Sequence, residues 1–170
     1  MKVFIIFMAL LIVNMGLITF QDDHTIYENM QYDIKRIADD CAYGSSMFYD
    51  MEAYSEGYLQ YDTEEAVRYI ETILHKRLDK DDGGAIEKLE YKAYFFNENG
   101  ICTVIENGGL AEEFTVEYPY NFTDENGYEE TVTGPLVKVI ISAETGDIFR
   151  QDFLYANRVA RSSSYGNKSY

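Results

Sequence analysis

Three hydrophobic patterns follow one another along the chain, and each predicts a different kind of element. An uncharged run from Val3 to Phe20 comes first. From Tyr27 to Phe48 apolar residues recur at spacings of three and four, which is the period of one helical face. From Ala85 onward apolar and polar positions alternate, which is the period of a strand. The chain is therefore predicted to be α+β, with helices first and an antiparallel sheet after them.

The uncharged run is long enough to cross a membrane as a helix. Its only polar side chains are Asn14 and Thr19, and a spanning helix needs about 17–25 mostly apolar residues. Phe20 leads directly into amide and acidic side chains, so the small residues of a signal-peptidase site are missing. We predict an uncleaved transmembrane signal anchor over residues 1–20, with a cleaved signal peptide as the alternative. Because Lys2 precedes the run and acids follow it, the N-terminus is expected in the cytoplasm and the rest outside the cell membrane, in a single pass.

Residues 21–84 are predicted to form a helical stalk and then a second helix. No Gly or Pro lies between Leu17 and Tyr43, so the stalk is expected to continue the membrane helix without a break. The second helix is expected to begin with Asp62 as its N-cap and Glu65 three residues later. Its predicted buried stripe is Ala66, Ile70, Ile73, Leu74 and Leu78.

Residues 85–160 are predicted to be an antiparallel sheet of about four or five strands, because short alternating segments are separated by tight turns. The clearest turn is the segment from Asn97 to Gly100, which is expected to close a hairpin. Residues 119–134 look like a polar excursion, and residues 161–170 are predicted to be a disordered tail. The predicted strands are residues 89–95, 101–105, 114–118, 136–141 and 148–153.

One face of the first helix is the predicted contact surface for the membrane and for partner helices. Protein partners or self-association through this helix are expected. From Ile34 onward the same helix is also expected to pack on the sheet. The face consists of Phe4, Phe7, Leu11, Met15, Ile18, Met30, Ile34 and Ile37.

The charge balance excludes one class of partner. All 30 acidic residues and 13 of the 14 basic residues follow Phe20, which leaves the exported part with a net charge of −17. Such a field repels phosphate backbones, so nucleic-acid binding is not expected. The negative charge is expected to keep an exported domain soluble, and the collection of divalent cations by the acidic groups is the alternative.

The sequence predicts no catalytic, cofactor or metal site. His24 and His75 are isolated and lack the spacing of a zinc site. No nucleophile–base pattern, phosphate-binding loop or calcium loop with acids at the required positions occurs. Cys41 and Cys102 could form one disulfide in an exported protein, or they could be two buried free thiols, and the sequence leaves both open.

The stretch Glu28-Asn-Met-Gln-Tyr-Asp-Ile-Lys-Arg-Ile-Ala-Asp-Asp-Cys-Ala, placed after a single span, resembles the TadE-like minor pilins of tight-adherence pilus systems. The order of a membrane helix, an amphipathic rod and a small antiparallel sheet is similar to that of type IV pilins and pseudopilins. The resemblance covers residues 1–50 and implies a structural role. The chain departs from type IV prepilins, because Gln21 stands at the fifth residue after Gly16, where they carry Glu.

Two functions follow as expectations. The first is a pilin-like structural component of an extracellular filament or of a secretion or pilus assembly complex. The second is a membrane-anchored ligand-binding module whose surface is the sheet with the aromatic residues Tyr118, Tyr120 and Tyr128. An enzyme is not expected.

We predict that the mature protein retains Lys2 and fractionates with membranes. A pilin-type cut after Gly16 would leave only Leu17 to Phe20 of the apolar run, which is too short to hold the chain in a bilayer. Intact-mass analysis of protein isolated from its native host measures this directly. A mature N-terminus between Leu17 and Thr25 would contradict the anchor.

Overall fold

The helices and strands of the chain were located in a computed structural model that describes residues 2–78, 86–124, 127–145 and 158–166. The chain is α+β, as predicted. Three helices come first in the sequence, and the strands follow. The helices are α1 (Lys2–Ser45), α2 (Met51–Ser55) and α3 (Thr63–Leu78). The strands are β1 (Ile86–Phe96), β2 (Ile101–Glu106), β3 (Gly109–Thr115), β4 (Tyr120–Thr123), β5 (Glu129–Val132), β6 (Leu136–Thr145) and β7 (Arg158–Gly166).

Helix α1 is a single element of 44 residues, about 66 Å long at 1.5 Å per residue. The expected absence of a break at the end of the apolar run is confirmed. Two threonines near this point turn their hydroxyls onto the helix itself. Thr19 donates to the Met15 carbonyl at 3.0 Å, and Thr25 donates to the Gln21 carbonyl at 2.9 Å. Their polar groups are therefore satisfied without interrupting the helix.

The second half of α1 supplies one side of the first core. Its residues at helical spacing are buried against β6, β7 and α3, as the sequence predicted for the segment from Ile34 onward. The small residues beside them let the helix approach the sheet closely. The buried residues of this face are Met30, Ile34, Ile37, Ala38, Cys41, Ala42 and Ser45.

Helix α3 begins as the sequence predicted and packs against α1. The Asp62 carboxylate accepts from the backbone N–H groups of Glu64 and Glu65, both at 3.1 Å, which caps the helix. Its buried positions include Ala66, Ile70 and Leu74, while Ile73 is half-buried. The ring of Tyr69 lies directly over Gly44 of α1, where any Cβ would collide with it. With the Tyr69 ring in this position, the close approach of the two helices depends on the absence of a side chain at Gly44.

The five-stranded sheet is antiparallel throughout, in the order β3-β2-β1-β6-β7. Alternation along each strand divides the side chains between two cores. Residues of the first core, such as Phe95 and Val139, face α1 and α3. Residues of the second core, such as Phe96 and Ile140, face the other way. Strand β3 starts at Gly109, earlier than expected, because Asn107 and Gly108 adopt positive φ and close a tight turn.

The segment expected to be a polar excursion covers the second core instead. Strands β4 and β5 pair as a hairpin, with Tyr120 opposite Val132 and Phe122 opposite Glu130. Phe122 and Val132 are buried, whereas their strand neighbours Asn121, Thr123 and Thr131 are exposed. Each of these strands has only four residues, and two side chains per strand facing the sheet are enough to cover the second core. So short an alternation of apolar and polar positions was not recognised as a strand pattern in the sequence.

The predicted disordered tail over residues 161–170 is wrong for residues 161–166. These residues form most of β7, which pairs with β6 from Glu144 opposite Arg158 to Leu136 opposite Gly166. Its serines need no apolar partner, because this edge strand contacts polar side chains of α1. Lys35 Nζ donates to the Ser162 carbonyl at 3.1 Å, and the Ser163 hydroxyl donates to Asp39. The predicted strand at residues 148–153 lies outside the described residues.

The buried face of α1 gives a stability prediction. Ile37 is 2% exposed in the first core, so Ile37→Asp should lower the free energy of unfolding by about 3–5 kcal/mol, since the new carboxylate would be buried without a partner. Chemical denaturation followed by circular dichroism measures the change. Tyr32→Asp is the matched control, because Tyr32 lies on the same helix and is 76% exposed. Unchanged stability of Ile37→Asp would contradict the packing of this face.

Candidate functional site

The first half of α1 is exposed on all sides. We call the stretch from Val3 to Phe20 the membrane segment, because the helix there is long and apolar enough to cross a bilayer and none of that stretch is buried within the protein. Side chains such as Phe4 (67% exposed) and Ile12 (65% exposed) contact nothing that would shield them from water. An exposed apolar surface of this size is typical of a segment that contacts lipid or another protein.

The predicted membrane and partner face divides into two parts. Its first five members, all within the membrane segment, are exposed and available to lipid or to another helix. The last three, Met30, Ile34 and Ile37, are buried in the first core and cannot contact a partner helix. The two groups lie roughly a third of a turn apart around the helix axis at 3.6 residues per turn. The exposed members are Phe4, Phe7, Leu11, Met15 and Ile18.

Cys41 and Cys102 are both free and buried. Cys41 lies in the first core and Cys102 in the second, so the sheet separates the two sulfurs. Among the alternatives left open by the sequence, the structure therefore has two buried thiols. Burial, with a smaller contribution from Asp40, raises the pKa of Cys41 to about 12. Burial, followed by the charge of Glu112, does the same for Cys102.

The three tyrosines expected to form one binding surface lie in different places. Tyr120 packs against Phe96 and Phe114 at the edge of the second core. Tyr128 covers a buried lysine in the hairpin, described next. Tyr118 is half-buried and donates to the Asn97 carbonyl at 2.7 Å. The β4–β5 hairpin covers the face of the sheet against which Tyr118 and Tyr120 pack.

Lys138 shows how the protein itself holds a cation. This side chain is 1% exposed and lies on β6, facing the hairpin. Its Nζ is 4.5 Å from the centre of the Phe122 ring, 4.4 Å from that of Tyr128 and 2.9 Å from Glu130 Oε2. Two aromatic faces and one carboxylate replace the water that the ammonium group loses on burial. The arrangement fastens the hairpin to the sheet.

A groove of about 630 Å³ lies at the end of the domain far from the membrane segment. We call it the distal groove. The contacts between β7 and α1 show which end this is. Arg161, early in β7, contacts Gln31, and Tyr165, late in β7, packs on Tyr43 near the end of α1. The later residues of β7 therefore lie further from the membrane segment. The groove opens beside the last residues of β1. Its principal lining side chains are Tyr54, Tyr58, Leu59, Glu98, Tyr118 and Pro135.

Backbone hydrogen bonds hold one wall of the distal groove in place. The segment after α2 is pinned to the β1–β2 turn, because Leu59 N–H donates to Glu98 Oε2 at 2.7 Å and Glu98 N–H donates to the Leu59 carbonyl at 3.0 Å. Tyr61 N–H donates to Asn97 Oδ1 at 2.8 Å one step further on. Asp50 caps α2, on which Tyr54 is carried. These hydrogen bonds join the two loops that form this wall, so the wall is held in one arrangement.

Acidic groups surround the tyrosines of the distal groove. Glu98 is the charged side chain among the described residues that line it. The negative charge of Glu56 is the largest cause of a raised pKa at Tyr58, and the charges of Asp50 and Glu52 also raise it. Burial raises the pKa of Tyr118 to about 12, with Cys102 and then Glu98 contributing. The local potential therefore favours a positive group.

The distal groove was not predicted from the sequence, because the segment around Tyr54 and Gly57 was assigned no element of its own between the helical stalk and the second helix. The available signal was the interleaving of acids with large apolar residues over residues 47–58, among them Met51 and Tyr58. Such an alternation is unusual for a plain linker. Nothing in the sequence placed Tyr118 beside it, since that contact depends on the path of the chain after β3.

A larger cleft of about 660 Å³ lies along β1, β6 and β7 beside the hairpin. It is lined by the bases Lys35, Lys92 and Arg161 and also by the acids Glu90, Glu106 and Asp124. These three bases and three acids sum to zero, so the lining of the cleft has no net charge that would favour a cation or an anion.

Neither histidine lies in a cluster of ligands. His24 Nε2 is 3.3 Å from Glu28 Oε1 on the exposed side of α1, and His75 is exposed on α3. Within the described ranges, no group of three or more His, Cys, Asp or Glu side chains is placed to hold a metal ion. Comparison of the chain with protein-family models, curated proteins and solved structures finds no match.

The buried thiols give a labelling prediction. Because a thiolate is the reactive form and both thiol pKa values are about 12, the folded protein should not react with a thiol reagent at pH 8. After unfolding in guanidinium chloride, both cysteines should be labelled. Absorbance of the released thiolate chromophore counts the reactive groups. Rapid labelling of the native chain would contradict the burial of the thiols, and failure of the unfolded, unreduced chain to react would show a disulfide.

Proposed function

We propose that the protein is a membrane-anchored, pilin-like structural component of an extracellular filament or of a secretion or pilus assembly complex. The observation that carries the proposal is the division of α1. One uninterrupted helix has an apolar half that is exposed on all sides and a second half that fills the core of an acidic domain. In this proposal the N-terminus is cytoplasmic and the domain is extracellular.

The construction of the core supports a mechanical role for α1. The buried face begins at Met30, and no residue of the membrane segment contributes to either core. The domain is therefore complete without the membrane segment, while the rod that leaves it is stiffened by continuous helical hydrogen bonds. Such a rod can pack against like helices in a membrane or in a filament and carry its domain on the outside.

The exposed side of the membrane segment supports association by helix packing. Phe4, Phe7, Leu11, Met15 and Ile18 share one side of the helix, at spacings of three and four. The proposal assigns no catalytic activity to the protein and rests on the shape of the helix and on apolar contact.

Disulfide cross-linking in membranes of the native host tests the proposal. Leu11→Cys places a thiol on the proposed contact side, so mild oxidation should give a covalent adduct with a second copy or with a partner protein. The adduct should be recovered with sheared surface filaments or with the assembly complex. Because Cys41 and Cys102 are buried, the introduced thiol is the one expected to form the intermolecular disulfide. Gel electrophoresis without reductant measures the yield.

Val13→Cys is the matched control, because Val13 lies on the opposite side of the same apolar helix, about 200° away at 100° per residue. The proposal requires a clear excess of adduct for Leu11→Cys over Val13→Cys. Equal yields would indicate random collision in the bilayer, and no adduct in either variant would leave an anchor without helix association. Either result would overturn the structural role.

A further inference from the structure

We infer that the distal groove binds the basic side chain of a protein partner, an arginine or lysine on an extended segment, between its tyrosine rings and Glu98. The inference concerns the end of the domain opposite to the membrane segment, so it is independent of the proposed helix association. It assigns a recognition site to an otherwise structural domain. Three observations carry it.

The first observation is the lining of the groove. Tyr54 is 58% exposed and Tyr58 is 37% exposed, so part of each side chain is accessible to a ligand. Together with Tyr118 and Pro135 they make an aromatic and apolar wall. The negative faces of aromatic rings attract cations, and arginine in particular stacks on them, because its planar guanidinium group is more weakly hydrated than an ammonium group.

The second observation is charge complementarity. Glu98 stands within the groove, its Oε2 accepting from the Leu59 N–H, so that its Oε1 is the oxygen directed to a ligand in this assignment. Asp50, Glu52 and Glu56 add negative potential at Tyr58. No basic side chain is found among the described lining residues. A cation brought by a partner therefore meets no competing positive charge.

The third observation is that the same chain already uses this chemistry. Lys138 is held between Phe122 and Tyr128 with Glu130 as its counter-ion. The distal groove has the same kinds of groups, two or three aromatic rings with a carboxylate, but none of its described lining side chains is a cation. Its volume of about 630 Å³ exceeds one side chain and leaves space for the backbone on either side. An extended peptide segment fits this shape better than an isolated small cation.

A second copy of the chain is a less suitable occupant. The exported part carries a net charge of −17, and two such domains repel one another over the Debye length. A basic partner segment gains from the same field. The inferred partner is therefore a different protein with a positively charged, exposed stretch.

Peptide binding to the full-length protein in lipid nanodiscs tests the inference. The probe is the peptide Gly-Ser-Gly-Arg-Gly-Ser with an uncharged fluorophore, and its counterpart carries citrulline, the neutral isostere of arginine. Fluorescence anisotropy should show saturable binding of the arginine peptide that weakens as salt is added. The citrulline peptide should bind at least about fivefold more weakly, as expected for loss of a cation–aromatic contact and an ion pair.

Two variants locate the binding. Tyr58→Leu should weaken binding of the arginine peptide by about two- to fivefold, the range of an exposed cation–aromatic contact. Glu98→Gln, which keeps an oxygen for the Leu59 N–H, should weaken it and reduce its salt dependence. Tyr32→Leu is the matched control, because Tyr32 is an exposed tyrosine on α1 outside the groove, and it should bind like the unmodified chain.

Three results would overturn the inference. Equal binding of the arginine and citrulline peptides would show an apolar groove without a preference for cations. Equal loss in Tyr58→Leu and Tyr32→Leu would place the binding elsewhere. Self-association of nanodisc-embedded protein that is lost in Tyr58→Leu, without peptide binding, would make a second copy the occupant.

Discussion

The packing of α1 across β6 and β7 is the contact on which the rest of the structure depends. It buries Ile34, Ile37 and Cys41 in the first core, and it sets the direction in which the apolar half of the helix leaves the domain. A rim of polar contacts fixes the register of helix against strand, with Lys35 bound to both Asp39 and the Ser162 carbonyl. Apolar burial supplies the free energy of this contact, and the polar rim selects one alignment.

The second face of the sheet is organised around a charge. Phe122 and Val132 close the second core, but Lys138 sits at its margin with two aromatic rings and Glu130 as partners. Removing only one member of such a pair leaves the other buried and uncompensated. The hairpin is thus held in one position. The distal groove depends on the same stiffness, since one of its walls is the turn that joins β5 to β6.

Much of the fold could be predicted from the sequence, because it is encoded in local periodicity. Three local signals each predicted one element without reference to the rest of the fold. They are the helical spacing from Met30 to Cys41, the N-cap at Asp62 and the turn between β1 and β2. The hairpin, strand β7 and the distal groove could not be predicted in this way. Ser162 and Ser163 belong to a strand because α1 offers them polar partners, and Tyr118 reaches the groove through the tertiary path of the chain. The side of α1 that faces the sheet was predictable, whereas the start of its burial at Met30 required the structure.

The central claim is that α1 passes from membrane to domain core as one helix. Spin labels placed singly at each position from residue 19 to residue 30, in full-length protein in lipid nanodiscs, measure this most directly by electron paramagnetic resonance. The account predicts the restricted motion of labels on a helix surface at every position of the scan, because the backbone there is held by continuous helical hydrogen bonds. Uniformly fast motion over residues 21–26 would show a flexible joint, and the rod that links anchor and core would not exist.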